Sequence, residues 1–391
     1  MNHVAPPDTS LCADKLVSWL QQLVRFPSEQ TDLHEKDPQI GRFIRECAAP
    51  LLHDVGARCR YDGMGNLIAE FGPKSDDSLL FVAYAMTHPA GRMADPFSAR
   101  LIETDRGPAV RGRGVAEQKT ALAALIGAIG EAVRRDILKR RLSVLLLTAG
   151  ETGRHDAITA ALPELECKPK LAIVCLGTDS RIAIGNKGRI DVDVIVHGKT
   201  AHSSTPWHGI NAIVGAQKLL ASLDGFRPGV ADHPHFGAAT LTPTAIDSAP
   251  KATHTVPDRV RITFDRRLLP GEDPIAAYEA IRELMTLPKP WTVECRLGPV
   301  MYPNEISQES TMMRQLRAAF AAAGCAEPEQ LYCNFALDAG YLARSGIEAV
   351  MLGPGEVDQF HSSEESVLVS DLSTMSNVYY RLIEQCLAHN A

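Results

Sequence analysis

Carboxylates and imidazoles stand just beyond several apolar runs of this chain, where groups that bind a metal ion or move a proton can be held on a rigid edge. Glu117 lies in GRGVAEQKT (112–120), after the apolar run at 79–84. Glu151 follows the run at 141–149, and His361 sits in GPGEVDQFHSSEE, after 348–352. Tyr84, His88, His155 and Cys175 fall near strand ends on the same edge and are candidates to accept a proton. The plainer reading of each is structural, since a loop histidine is usually solvated or caps a helix.

A sheet is needed to carry these groups. Residues 79–84, LLFVAY, have the length and composition of a strand buried on both faces. Apolar runs at 141–149, 171–176 and 348–352 alternate with helical patterns at 120–133, 157–162, 313–323 and 371–387. That order predicts a mainly parallel sheet covered by helices on both faces. Two helices precede it, one with Leu16, Leu20, Leu23 and Val24 on a face and one with Ile40, Phe43, Ile44, Leu51 and Leu52. Short strands are expected around GMGN at 63–66.

Near Lys187 the pattern changes. RIDVDVIVHG alternates strictly, placing Ile190, Val192, Val194 and Val196 on one side of a strand with one wet face. The segments that follow give a βαββαβ order to about Arg296, a ferredoxin-like α+β unit. The chain therefore reads as one discontinuous domain, 1–186 and 297–391, with an inserted domain at 187–296.

Composition removes several functions. A net charge of −7 without a basic block argues against nucleic acid and anionic membrane surfaces. No apolar run approaches the roughly 20 residues of a membrane span, and the first ten residues lack signal-peptide features, so a cytoplasmic location is expected. Nine scattered cysteines without a CxxC pair fit neither a disulfide framework nor a cysteine-rich zinc site.

In these motifs the chain resembles the co-catalytic zinc exopeptidases and aminoacylases, which include acetylornithine deacetylase, succinyl-diaminopimelate desuccinylase and glutamate carboxypeptidase. The family's Gly-His-x-Asp-x-x-Pro appears as Ala83-Tyr84-Ala85-Met86-Thr87-His88-Pro89, followed by Pro96-Phe97. Its Gly-Arg-Gly-x-x-Asp-x-Lys-Gly appears as the segment from Gly112 to Thr120. The resemblance implies that a metal-binding His has become Tyr84, an Asp assisting the base Met86, and the metal-bridging Asp Glu117. The Glu-Glu pair is Gly150-Glu151, so the general base falls on Gly150, and a late metal carboxylate falls on Leu176.

Where the family holds two zinc ions about 3.5 Å apart, the positions that retain donors here are Glu117, Glu151 and His361. Resemblance thus implies at most one Zn²⁺, or none. Glu117 is one methylene longer than Asp, a displacement of roughly 1.5 Å that the backbone must absorb. The family's cis peptide after the bridging residue maps to Glu117-Gln118.

Resemblance also assigns substrate handling. His202, in GKTAHSSTP, matches the lid signature whose histidine crosses to the partner subunit and stabilises an oxyanion. Asn211, His254 and Arg267 map to substrate-binding positions, and Glu151 with His202 to catalytic ones; Gly353 and Gly355 can present backbone N–H groups to a substrate carboxylate or simply form a tight turn. The implied activity is hydrolysis of a small carboxylate-bearing amide, an N-acyl amino acid or small peptide, with an altered metal site and a replaced base. The inserted domain would join a homodimer. A catalytically inactive paralogue that binds a small molecule or partner, and a non-hydrolytic enzyme using the same pocket, stand as the other readings.

Overall fold

The computed structural model describes residues 13–150, 154–229 and 231–389. The chain forms two compact units. The first comprises Met1–Ile184, Ile306–Leu331 and Tyr341–Ala391; the second, Gly185–Glu305 and Tyr332–Gly340.

At the centre of the first unit four strands run parallel: Leu142–Leu147, Leu79–Tyr84, Leu171–Cys175 and Glu348–Leu352. Every residue of Leu79–Tyr84 and of Leu142–Leu147 is buried, so both faces of the sheet are covered. Their uninterrupted apolar composition follows from that double burial. On one side the sheet is extended antiparallel by Leu67–Phe71 and Arg58–Tyr61, joined through the Gly63–Asn66 turn. On the other, Ile182–Asn186 meets Glu348–Leu352 through Met351 and Ala183. Helix Thr120–Arg134 is buried almost throughout its length, as its run of small apolar residues demands. The helix after Pro38 is continuous but changes winding, with a π-wound stretch at Phe43–Ala48 between α-helical flanks.

A smaller antiparallel sheet goes beyond the sequence reading. It joins Arg100–Thr104, Gly107–Arg111 and Ser366–Leu368. Arg100–Thr104 is largely exposed, Gly107–Arg111 and Ser366–Leu368 are part-buried, and none has the apolar run that marks the central strands.

The second unit is a four-stranded antiparallel sheet in the order Thr240–Ala249, Arg259–Leu268, Gly188–His197, Thr292–Met301. Ile190, Val192, Val194 and Val196 all face one core with Val260, Ile262 and Phe264, beneath residues of helices Ala212–Ser222 and Pro274–Leu284. The opposite face carries Arg189, Asp191, Asp265 and Arg267 in mutual ion pairs. Pairing with Gly188–His197 continues to Met301, beyond Arg296. Among the described residues no helix is long and apolar enough to cross a membrane.

Candidate functional site

Glu117 sits in a π-wound turn, Val115–Lys119, that leads directly into helix Thr120–Arg134. The Lys119 amide donates to the Gly114 carbonyl at 2.8 Å, closing the wide turn. π-Turns inside helices recur at functional positions. Among the described residues the cis peptides precede prolines, at Ala249-Pro250 and Lys289-Pro290, so Glu117-Gln118 is trans, unlike the expected cis bond. The trans peptide lets 115–119 join the helix as one winding.

Three carboxylate contacts fix that turn. Glu365, 1 % exposed, accepts from the amides of Gly114 at 3.0 Å and Ala116 at 2.9 Å. It also pairs with the buried Arg113 guanidinium at 2.9 Å. Burial pushes the Glu365 carboxyl above its ordinary range, while the backbone amides and Arg113 oppose that rise. Glu365 is a site residue that the sequence reading missed; its neighbour Glu364 is exposed and meets Arg111. Behind the turn, the Lys119 ammonium donates to the carbonyls of Leu23 at 2.9 Å and Phe26 at 3.0 Å. Burial pulls that ammonium down to about 7.

His361 comes to Glu117 from the far end of the chain. Its Nε2 lies 3.4 Å from Glu117 Oε2, with Glu117 nearly buried and the imidazole 42 % exposed. The His361 backbone has φ +61°, a left-handed conformation uncommon for a side-chain-bearing residue. His88 stacks on the His361 ring, centroids 3.9 Å apart and planes 15° from parallel. Two donors on one tetrahedral zinc, each about 2.0–2.2 Å from it, lie about 3.3–3.6 Å apart. The Glu117–His361 spacing falls in that range, so this pair fits a single ion. Glu151 lies outside the described residues, and among those described no group of three His, Cys, Asp or Glu side chains is arranged to hold a metal.

The positions mapped to the second ion differ in kind. Leu176 offers no donor and is buried at 3 % exposure. Tyr84 is also buried, its ring against the Cα of Gly150. Met86 is fully buried, and its Sδ receives the Gln118 side-chain amide at 3.8 Å.

The loops around the pair are knitted by backbone contacts. Gly177 N–H donates to the Glu117 carbonyl at 2.8 Å, and Thr178 N–H to the Gly353 carbonyl at 3.0 Å. The Gly353 amide is engaged by Thr178 Oγ1 at 3.2 Å. Gly355 and Gly177 both pass so close to the Ala116 carbonyl that neither position has room for a Cβ. Their glycines are explained by close approach of backbone.

Of the four proton-acceptor candidates, His88 stacks directly on the His361 ring of the pair. Cys175 is fully buried, bonded to Tyr379, and burial pushes its thiol up to about 12, which makes it a poor base at neutral pH. His155 is buried against the Tyr341 ring at 5.4 Å.

In the second unit, strand Ala201–His202 pairs with Thr255–Val256 and brings the rings of His202 and His254 to 6.0 Å. His202 Nδ1 meets Ser204 Oγ at 2.8 Å. The Asn211 side chain caps helix Ala212–Ser222 by accepting from Ile213 N–H at 2.9 Å. Arg267 is held by Asp265 through two bonds, at 2.8 and 3.0 Å.

Comparison with known proteins follows the same two-unit division. Residues 184–293 match the peptidase dimerisation domain of the M20 family. The chain is 26 % identical over 375 residues to a succinyl-diaminopimelate desuccinylase of Wolinella succinogenes, covering 93 % of this chain and 97 % of that protein. Its fold is shared with an M20 family metallo-carboxypeptidase from Sulfolobus solfataricus, with a TM-score of 0.76, 17 % identity, and coverage of 96 % and 99 % of the two chains. It is shared also with a dinuclear metal-binding M20 peptidase of Bacillus subtilis, with a TM-score of 0.68, 15 % identity, and coverage of 96 % and 98 %. From the dimerisation domain through the desuccinylase relative to the shared peptidase fold, these likenesses converge on one lineage: residues 184–293 match the M20 peptidase dimerisation domain, and the chain as a whole is similar to the M20 zinc exopeptidases and aminoacylases.

Proposed function

We propose that this protein is a peptidase- or desuccinylase-type hydrolase of small carboxylate-bearing amides, N-acyl amino acids or short peptides, working with a single zinc ion. The observation that carries the reading is the 3.4 Å approach of His361 Nε2 to Glu117 Oε2. Glu117, His361 and Glu151 are the proposed ligands. Zinc held by these donors supplies Lewis acidity toward an amide carbonyl. His88, half-buried against His361, is the proposed replacement for the base absent at Gly150. Its Nδ1 lies 3.2 Å from the Pro89 carbonyl oxygen, so a proton on Nδ1 leaves Nε2 with an open lone pair. His202, beside His254, is the proposed donor to the developing oxyanion. Arg267 is the proposed anchor of the substrate carboxylate. The segment 187–296 is proposed as a lid and dimerisation domain of a homodimer, in line with the matched dimerisation domain.

Elemental analysis of protein purified after growth with zinc tests the reading, together with a screen of N-acyl amino acids for amine release. About one zinc per chain and zinc-dependent release support it; two zincs, or none, would sink the single-ion form. The packing of Tyr84 on Gly150 favours a second reading, a chain that binds such amides without cleaving them. Saturable calorimetric binding of the same compounds without amine release would select it.

A further inference from the structure

In the second unit the sequence His202-Ser203-Ser204-Thr205-Pro206 sets two serines, a threonine and a proline directly after an imidazole, a composition that favours a tight turn. The chain does turn there, at the end of strand Ala201–His202. The Thr205 amide donates to the His202 carbonyl at 2.9 Å, closing the turn. The Ser203 amide donates to the His254 carbonyl at 2.9 Å, which ties the turn to the chain entering the paired strand Thr255–Val256.

Inside the turn the imidazole is gripped from one side. His202 Nδ1 lies 3.2 Å from the Ser204 backbone nitrogen and 2.8 Å from Ser204 Oγ. A backbone N–H can only donate, so Nδ1 is the acceptor. The hydroxyl adds a second donor to the same lone pair. The ring thus does what an Asn or Asp side chain does in a turn, accepting from the amide two residues on. A neutral imidazole that accepts at one nitrogen carries its proton on the other. Nε2, on the far side of the ring from Ser204, therefore holds the single N–H.

That direction matters for the proposed chemistry. A donor to a developing oxyanion acts best when its N–H is in place before the charge appears. The opposite tautomer would turn its N–H into the turn and offer the oxyanion a lone pair. We propose that Ser204 is a positioning residue for His202: its amide and hydroxyl hold the imidazole as the Nε2–H tautomer, so that one fixed N–H faces an anionic oxygen. The identification of that oxygen with the carbonyl of a cleaved amide rests on the hydrolase reading above; the tautomer does not.

Nitrogen-15 NMR of the whole protein labelled at histidine tests this at about pH 9, where imidazoles are neutral, with His202 assigned by its loss in His202→Gln. In the wild type the proton should sit on Nε2. Ser204→Asp replaces the hydroxyl by a group that only accepts, and should move the proton to Nδ1 in most molecules. Ser204→Thr keeps a hydroxyl and should keep the wild-type pattern, as should Ser203→Asp, which places the same charge one residue away. In amine release from N-acyl amino acids, Ser204→Asp should lower kcat roughly 10²-fold with KM little changed. In a His202→Ala background it should have no further effect. A wild-type proton on Nδ1, a wild-type spectrum in Ser204→Asp, or undiminished turnover in that variant would overturn the proposal. A wild type that releases no amine, yet shows the Nε2 proton and its shift in Ser204→Asp, would defeat the hydrolase reading and still support the hold of Ser204 on the ring.

Discussion

The aromatic ring of Tyr84 occupies the space that a side chain at position 150 would need: a Cβ built on Gly150 meets Tyr84 Cδ1, lies 2.6 Å from Cε1 and 2.9 Å from Cγ. Real Cβ atoms do not approach so closely, so the two residues are sterically one choice. Gly150→Ala should destabilise the protein by roughly 1–3 kcal/mol through overpacking. The same substitution in a Tyr84→Ala background should cost far less. Chemical denaturation of the four chains gives the coupling energy, and additive effects would show that the ring moves freely aside.

Metal content should follow the donor atoms and not the family's residue positions. Glu117→Gln or His361→Ala should lower bound zinc from about one per chain to a small fraction, measured by elemental analysis after dialysis. Leu176→Ala removes no donor and should leave the content unchanged. Zinc retained in both ligand variants would place the ion elsewhere.

The buried pair Arg113–Glu365 should be costly to break from one side. Glu365→Ala strands a guanidinium that is 2 % exposed and releases the amides of Gly114 and Ala116, with an expected loss of roughly 3–5 kcal/mol. Replacing both partners by apolar residues should cost less in urea denaturation. The single variant should also hold zinc less tightly, because the turn bearing Glu117 loses its clamp.

Stability should decline in alkali partly through two thiols. Burial raises both Cys175 and Cys386 from 9.0 to about 12. The unfolded chain gives up these protons near pH 9 and the folded chain only near 12, so folded-state stability attributable to them is whole below pH 9. It then falls as pH rises between those values, by up to roughly 1.4 kcal/mol per pH unit for each thiol. Cys175→Ala with Cys386→Ala should flatten the slope between pH 9 and 10.5 in denaturation curves. An unchanged slope would mean that other groups set it.

Association should depend on the edge of the second unit's sheet. Strand Thr240–Ala249 pairs on one side with Arg259–Leu268 and exposes Ile246 at 62 %. Unpaired strand edges are templates for pairing with another chain. Ile246→Asp should shift sedimentation from dimer toward monomer, and an unaltered distribution would move the proposed interface away from this edge.

What could be read from residues alone was whatever left a local pattern. The four parallel strands announced themselves as apolar runs because both faces are buried, and Gly188–His197 did so by alternation because one face is wet. The sheet of Arg100–Thr104, Gly107–Arg111 and Ser366–Leu368 escaped because its strands are short, only part-buried and without an apolar run, and one comes from the far end of the chain. Glu117 and His361 could be named from motifs, but not the 3.4 Å between them. Glu365 escaped because its role rests on burial beside backbone amides, which no spacing encodes. The dependence of Gly150 on Tyr84 joins the last residue of one strand to the bend just beyond its neighbour, 66 positions apart in sequence, and only packing reveals it.

One short loop carries both the imidazole that meets Glu117 and the carboxylate that grips the amides of Gly114 and Ala116. During synthesis, then, the early half of this pocket must wait, its acidic turn unsecured, until a segment nearly 250 residues downstream has emerged. A fragment ending before position 361 would contain the strands and the turn yet lack their clasp, which makes late translation and not early folding the moment at which this centre comes into being.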